Sequence, residues 1–139
     1  MHPFRKAVED RDEAAIQALL SDDVVFTSPV AFKPYVGKPI TAAILCGVLR
    51  VFEDFRYVRE IHDSESGHHA LEFETGIVGA DVTVNGCDFL HVNDEGLIDD
   101  FKVMVRPLSG AKALSEAMAA QFPRIQQEAV ELAAQFASA

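Results

Sequence analysis

The hydrophobic period of this chain changes twice, and that change constrains the fold more than any other feature. Apolar positions recur at helical spacing from Pro3 to Leu20 and again from Pro39 to about Glu53, alternate with a period of two from Phe55 to Arg106, and return to helical spacing after Leu108. Helices set apart from a run of turn-linked strands make an α+β domain, in which the helices collect on one face of a mostly antiparallel sheet. There are 139 residues, 49% of them hydrophobic. That is enough for one domain spanning 1–139 with its own core, the last part (about 108–137) being a helical extension.

Local signals place the elements. Phe4, Ala7 and Val8, then Ala15, Ile16, Leu19 and Leu20, keep helical spacing. The charged run Glu9–Glu13 divides them into two short helices, with Asp12 as N-cap of the second. Val24–Ser28 is a β-branched strand halted by Pro29, and 29–37 reads as an irregular loop. Pro39 opens a helix running to about Glu53. Ile40, Ile44, Val48, Val51 and Phe52 form its apolar face, while Arg50, Glu53 and Asp54 mark its wet side.

Past Phe55, the residues Tyr57, Arg59 and Ile61 alternate with Arg56, Val58 and Glu60. Turn chemistry at Ser64–Gly67, Gly79–Asp81 and Asn93–Gly96 closes a four-strand meander. From Leu108 a stripe of Leu114, Met118, Phe122, Ile125, Ala129, Leu132 and Phe136 restores a helix, which Pro123 is expected to split or kink.

Charge and length exclude several classes of function. Twelve Lys and Arg against 22 Asp and Glu leave a net charge of −10, which lacks the cationic face that nucleic acid or an anionic membrane requires. The longest apolar stretch, Thr41–Leu49, falls well short of the ~20 residues that cross a bilayer. The N-terminus carries no apolar signal segment, so a cytoplasmic location is expected. Two cysteines, Cys46 and Cys87, cannot build a disulfide framework or a four-ligand zinc site.

Alternation along Val82–Val92 sets Asp88, Leu90 and Val92 on one face and Cys87, Phe89 and His91 on the other. If the first face meets the core, Asp88 is a carboxyl in an apolar pocket, with a raised pKa and a proton to donate. Read the other way, it is a structural aspartate satisfied by backbone donors, and alternation leaves both open. Phe4, Phe26, Leu71, Phe73, Phe101, Val103 and Val105 are candidates to line that pocket or to fill the core. Ser28 is placed to orient a ligand oxygen or to bond its own turn.

Asp99 shares the face of Phe101 in strict alternation, but a bulge that buries both Ile98 and Phe101 leaves Asp99 and Asp100 in solvent. His62 and His69 come together across the Ser64–Gly67 turn without a third ligand, so no metal is expected there or at His68 and His91. Phe89 and Met104, flanked by Lys102, Arg106, Glu72 and Glu74, make an outer sheet face suited to a homodimer. Cys46 and Cys87 fall on opposite sides of the sheet and are expected to stay reduced.

The segment Phe4–Pro29, with Asp22-Asp-Val-Val-Phe-Thr-Ser-Pro29, then Gly37 with its helix and the strand-turn Cys87–Gly96, resembles the NTF2-like superfamily, in particular its SnoaL-like and ketosteroid-isomerase-like branch. The resemblance runs to about Arg106. It implies a cystatin-like cone, a curved sheet wrapped around helices with an apolar cavity inside, and homodimers through the outer sheet face. In ketosteroid isomerases a catalytic tyrosine lies on the first helix, a general-base aspartate precedes a proline, and an aspartic acid in the penultimate strand helps to hold the oxyanion. Here Phe4, Ser28 and Asp88 stand at the matching positions. Phe4 has no hydroxyl and Ser28 is no base near neutral pH, so steroid isomerisation by that route is not expected. The expected function is binding of a small hydrophobic molecule without a cofactor. The alternative is a cofactor-free cyclase, isomerase or hydratase that uses Asp88 as acid or hydrogen-bond donor.

Overall fold

The computed structural model describes residues 1–138. Two short helices open the chain, α1 (Pro3–Glu9) and α2 (Glu13–Ala18). Each is capped by a side chain: His2 Nδ1 accepts from the Phe4 N–H at 3.0 Å, and Asp12 accepts from the Ala15 N–H at 3.1 Å. β1 (Leu20–Thr27) begins four residues before the expected Val24, because Leu20 pairs with Ile98 and a register shift then leads to Val25. The following segment is less irregular than its prolines suggest. β2 (Tyr35–Val36) folds back on Phe26 and Val25.

α3 spans Lys38–Val51, and β3 (Phe52–Asp63) follows without a loop. The sequence pattern extends the helix to Glu53, since Phe52 continues its apolar spacing. Pairing of Phe52 with Ile77 draws the residue into the sheet instead, and tertiary contact overrides local preference. β4 (His68–Ile77), β5 (Ala80–Val92) and β6 (Ile98–Arg106) complete the expected meander, and α4 (Leu108–Ala137) closes the chain.

The sheet order is β2-β1-β6-β5-β4-β3, with only the β1–β6 pair parallel. This is the expected α+β arrangement, an open curved sheet with helices packed into its hollow. Register shifts interrupt four of the five strand pairings, and such bulges bend and twist a sheet. Gly86 shows how close the inner face is. It pairs with Phe73, and a Cβ at Gly86 would strike the Phe73 ring and come within 2.9 Å of the Met104 carbonyl.

α4 runs through Pro123 as one helix, so the proline does not split it. Contacts on both sides of the proline hold it against α3. Ile125 is fully buried over Gly47, where a Cβ would lie 2.7 Å from Ile125 Cδ1. Arg50 donates to Gln121 at 2.7 Å and to both oxygens of Glu128, so it grips one residue on each side of Pro123. Arg50 is therefore not on a wet side of α3, as its charge alone suggests. No helix among the described residues is long and apolar enough to cross a membrane.

Candidate functional site

The hollow of the sheet contains a small cavity. Phe4 and Val8 of α1, Phe26 at the end of β1, and Ile44, Leu45, Val48 and Leu49 of α3 form much of its wall. Phe52, Phe55 and Phe73 close the β3–β4 side, Phe101 and Val103 the β6 side, and Leu114 and Met118 of α4 cover it. The volume is about 70 Å³. Pockets for drug-sized ligands begin near ~300 Å³, so the cavity admits the head of a molecule and a few carbons.

Two polar groups meet in this wall. Asp88 on β5 points inward on the same face as Leu90 and is 6% exposed. The Tyr57 hydroxyl on β3 donates to Asp88 Oδ2 at 2.7 Å. The ladder explains the meeting. Tyr57 pairs with Phe73, and Phe73 pairs with Gly86, two residues before Asp88 on the same face. Because Gly86 has no side chain, the Phe73 ring settles over it. Phe55 then stacks edge-on against Tyr57 at 4.9 Å.

Burial pushes the Asp88 carboxyl up to about 7, against the opposing pull of the Tyr57 hydrogen bond. The Tyr57 hydroxyl is pushed well above its ordinary value, by burial first and then by the Asp88 charge. Tyr57 is therefore neutral in the physiological range, while Asp88 exchanges its proton near neutrality. Among the described residues Tyr57 is the one side chain bonded to that carboxyl. With Tyr57 donating inward, a protonated Asp88 retains an O–H for anything that enters the cavity.

The other candidate residues divide into two groups. Phe4, Phe26, Ser28, Phe73, Phe101 and Val103 reach the cavity wall. Leu71 and Leu90 are fully buried behind it and Val105 packs at the edge of the core, so these three fill space rather than line the cavity. Ser28 sits at the rim with its hydroxyl already accepting from the Val30 N–H at 3.1 Å. Asp99 turns to the outer side, where it bonds His91, and does not approach Asp88. Tyr57 was not singled out by sequence reasoning. The available signal is that a buried tyrosine needs a partner for its hydroxyl, and Asp88, the one buried acid among the described residues, lies across the meander.

His62 and His69 do meet, Nδ1 to Nδ1, at 2.7 Å, and His2 joins them with its ring centroid 4.7 Å from that of His69. Burial, then His69 and His62, lower the His2 pKa to about 4. Among the described residues no group of three His, Cys, Asp or Glu side chains is arranged to hold a metal ion.

On the outer face the ladder sets Ile61, Ala70, Phe89 and Lys102 in one row and Arg59, Glu72, Cys87 and Met104 in the next. Ile61 belongs to this face because a register shift after Tyr57 breaks strict alternation. Arg59 and Arg56 pair across the strands with Glu72 and Glu74 at 3.1 and 3.0 Å. Both cysteines are free.

A cup-shaped α+β sheet with a buried acid–phenol pair defines the class, and comparison with known proteins agrees. Residues 2–101 match the SnoaL-like domain, and the chain belongs to that family, within the NTF2-like superfamily. An uncharacterized protein with a cystatin-like fold from Silicibacter pomeroyi DSS-3 is 36% identical over 86% of this chain and 82% of its own, with a TM-score of 0.79. A steroid delta-isomerase from Pseudomonas aeruginosa is 34% identical, covering 98% and 90%, with a TM-score of 0.74. An NTF2-like protein of unknown function from Cytophaga hutchinsonii ATCC 33406, 17% identical with a TM-score of 0.58, shares the fold over 76% of this chain and 85% of its own. No curated protein matches the chain in sequence.

Proposed function

We propose that the cavity binds a small apolar molecule carrying a carbonyl oxygen, and that this oxygen accepts a hydrogen bond from protonated Asp88. The observation that carries this reading is the Tyr57–Asp88 pair, set in a wall that is otherwise almost wholly apolar. A buried carboxyl without a ligand to address is a burden on the fold, whereas a neutral acid in an apolar site is an efficient donor. The similarity to a steroid delta-isomerase points the same way, since a steroid is largely apolar.

The chemistry predicts a pH dependence. A ketone only accepts hydrogen bonds, and an ionised Asp88 only accepts. Affinity for 2-butanone, followed by NMR between pH 5 and 9, should be level in the acid range and fall about tenfold per pH unit above about 7. A level affinity across the whole range, or no binding, contradicts the reading. A catalytic form of this reading is favoured by the same carboxyl, because an acid that exchanges its proton near neutrality is matched to proton transfer in a cofactor-free isomerase, cyclase or hydratase. Exchange of the α-hydrogens of 2-butanone for deuterium, lost in Asp88→Asn, would support it.

We further propose that two copies pair through the outer sheet face. Phe89, Met104 and Ile61 are 41%, 56% and 59% exposed there, between cations and anions that a two-fold axis would bring together. The free thiols of Cys46 and Cys87 suit a reducing compartment such as the cytoplasm.

A further inference from the structure

A second hollow adjoins the cavity. The groove between residues 28–35 and α4 holds about 340 Å³ and is lined by Ala31, Tyr35, Ser115, Ala119 and Phe122. Ser28, Val30, Ile44 and Met118 belong to the walls of both spaces. Val30 comes from a loop, and Met118 is the unbranched, adaptable side chain best able to swing aside. The partition between the chambers is thus built in part from a loop residue and an adaptable side chain. Tyr35 and Phe122 face each other beyond it with ring centroids 6.0 Å apart.

We propose that the two chambers form one site for an elongated ligand. Its oxygen-bearing head meets Asp88 in the inner chamber, and an unbranched aliphatic tail passes Val30 and Met118 to lie against Ala119 and Phe122. The volumes decide this. The inner chamber alone is too small for anything beyond a short head, while the groove has the size of an ordinary ligand pocket. The tail meets apolar side chains along most of the groove, and Ser115 is its one hydroxyl on α4. Chain-length selectivity therefore resides in α4, which lies beyond the segment 2–101 that matches the family.

This inference rests on the Asp88 reading, and a homologous series separates the two. Affinities are measured for 2-butanone, 2-pentanone, 2-heptanone and 2-nonanone. In the native protein each methylene that enters the groove should tighten binding by about threefold to fourfold. Ala119→Trp and Ser115→Trp fill the groove from exposed positions of α4, so both variants should keep the native urea midpoint. In each, the ratio of 2-butanone to 2-nonanone dissociation constants should collapse to within a fewfold. The methyl resonance of Met118 should shift on adding 2-nonanone while that of Met104, on the outer face, stays put.

Binding of 2-butanone with no gain along the native series overturns the two-chamber site and leaves the Asp88 reading standing. So does a gain that survives both tryptophans, or a shift at Met104 in place of Met118. Failure of every ketone to bind removes both.

Discussion

Asp88→Asn removes a buried charge while keeping an oxygen that can accept from Tyr57, so it isolates the energetic consequence of ionising this site. The native carboxyl titrates at about 7 against an ordinary 3.8. The folded state thus holds the proton more tightly than the unfolded one. The stability this contributes is fully present below about pH 3.8 and is lost as pH rises through about 7. At ~1.4 kcal/mol per pKa unit, the gap amounts to roughly 4 kcal/mol between the acid and alkaline ends.

The variant has no such slope from position 88. Its stability should match the native protein near pH 4 and exceed it by a margin that grows on the order of 4 kcal/mol by pH 8. Urea unfolding at each pH measures this, with the slope m unchanged so that midpoints compare directly. His2 and His69, whose pKa values are lowered, titrate in both proteins and drop out of the difference. Parallel stability curves, with a constant offset from pH 4 to 8, would refute the reasoning. They would mean that Asp88 ionises as a solvated carboxylate does.

Two further outcomes test the packing and the outer face. Arg50→Ala cuts the grip of α3 on Gln121 and Glu128 and should lower stability by about 2 kcal/mol, with amide exchange accelerated most around residues 121–128. Met104→Glu puts a charge beside Phe89 on the outer face. Sedimentation should then show a dimer becoming a monomer, whereas a native protein that already sediments as a monomer contradicts the pairing.

The meander and its turns were legible in the sequence because their signals are local. Asn93–Gly96 closes the β5–β6 hairpin with Asn93 Oδ1 accepting from the Glu95 and Leu97 N–H groups, the turn chemistry that Asn supplies from its own side chain. The inward face of Asp88 was legible too, since nothing interrupts alternation from Val84 to Leu90. What was hidden depends on bulges and on distant partners. The shift after Tyr57 sends Ile61 outward, and no residue in β3 announces it. Tyr57 itself reads as one more alternating aromatic until β4 and β5 are laid beside it. Arg50 looks solvated until Gln121 and Glu128, more than 70 residues later, come to meet it. Pro123 breaks an isolated helix, yet α4 is held on both sides by α3 and continues.

The protonation of Asp88 can be observed directly through the ¹³C resonance of its carboxyl carbon, assigned by its disappearance in Asp88→Asn. A titration midpoint near 7, displaced upward when 2-butanone occupies the cavity, is the predicted result. A midpoint below about 4.5, the range of an ordinary solvated carboxyl, would contradict the central claim that this acid sits neutral in an apolar chamber, ready to meet a ligand's oxygen.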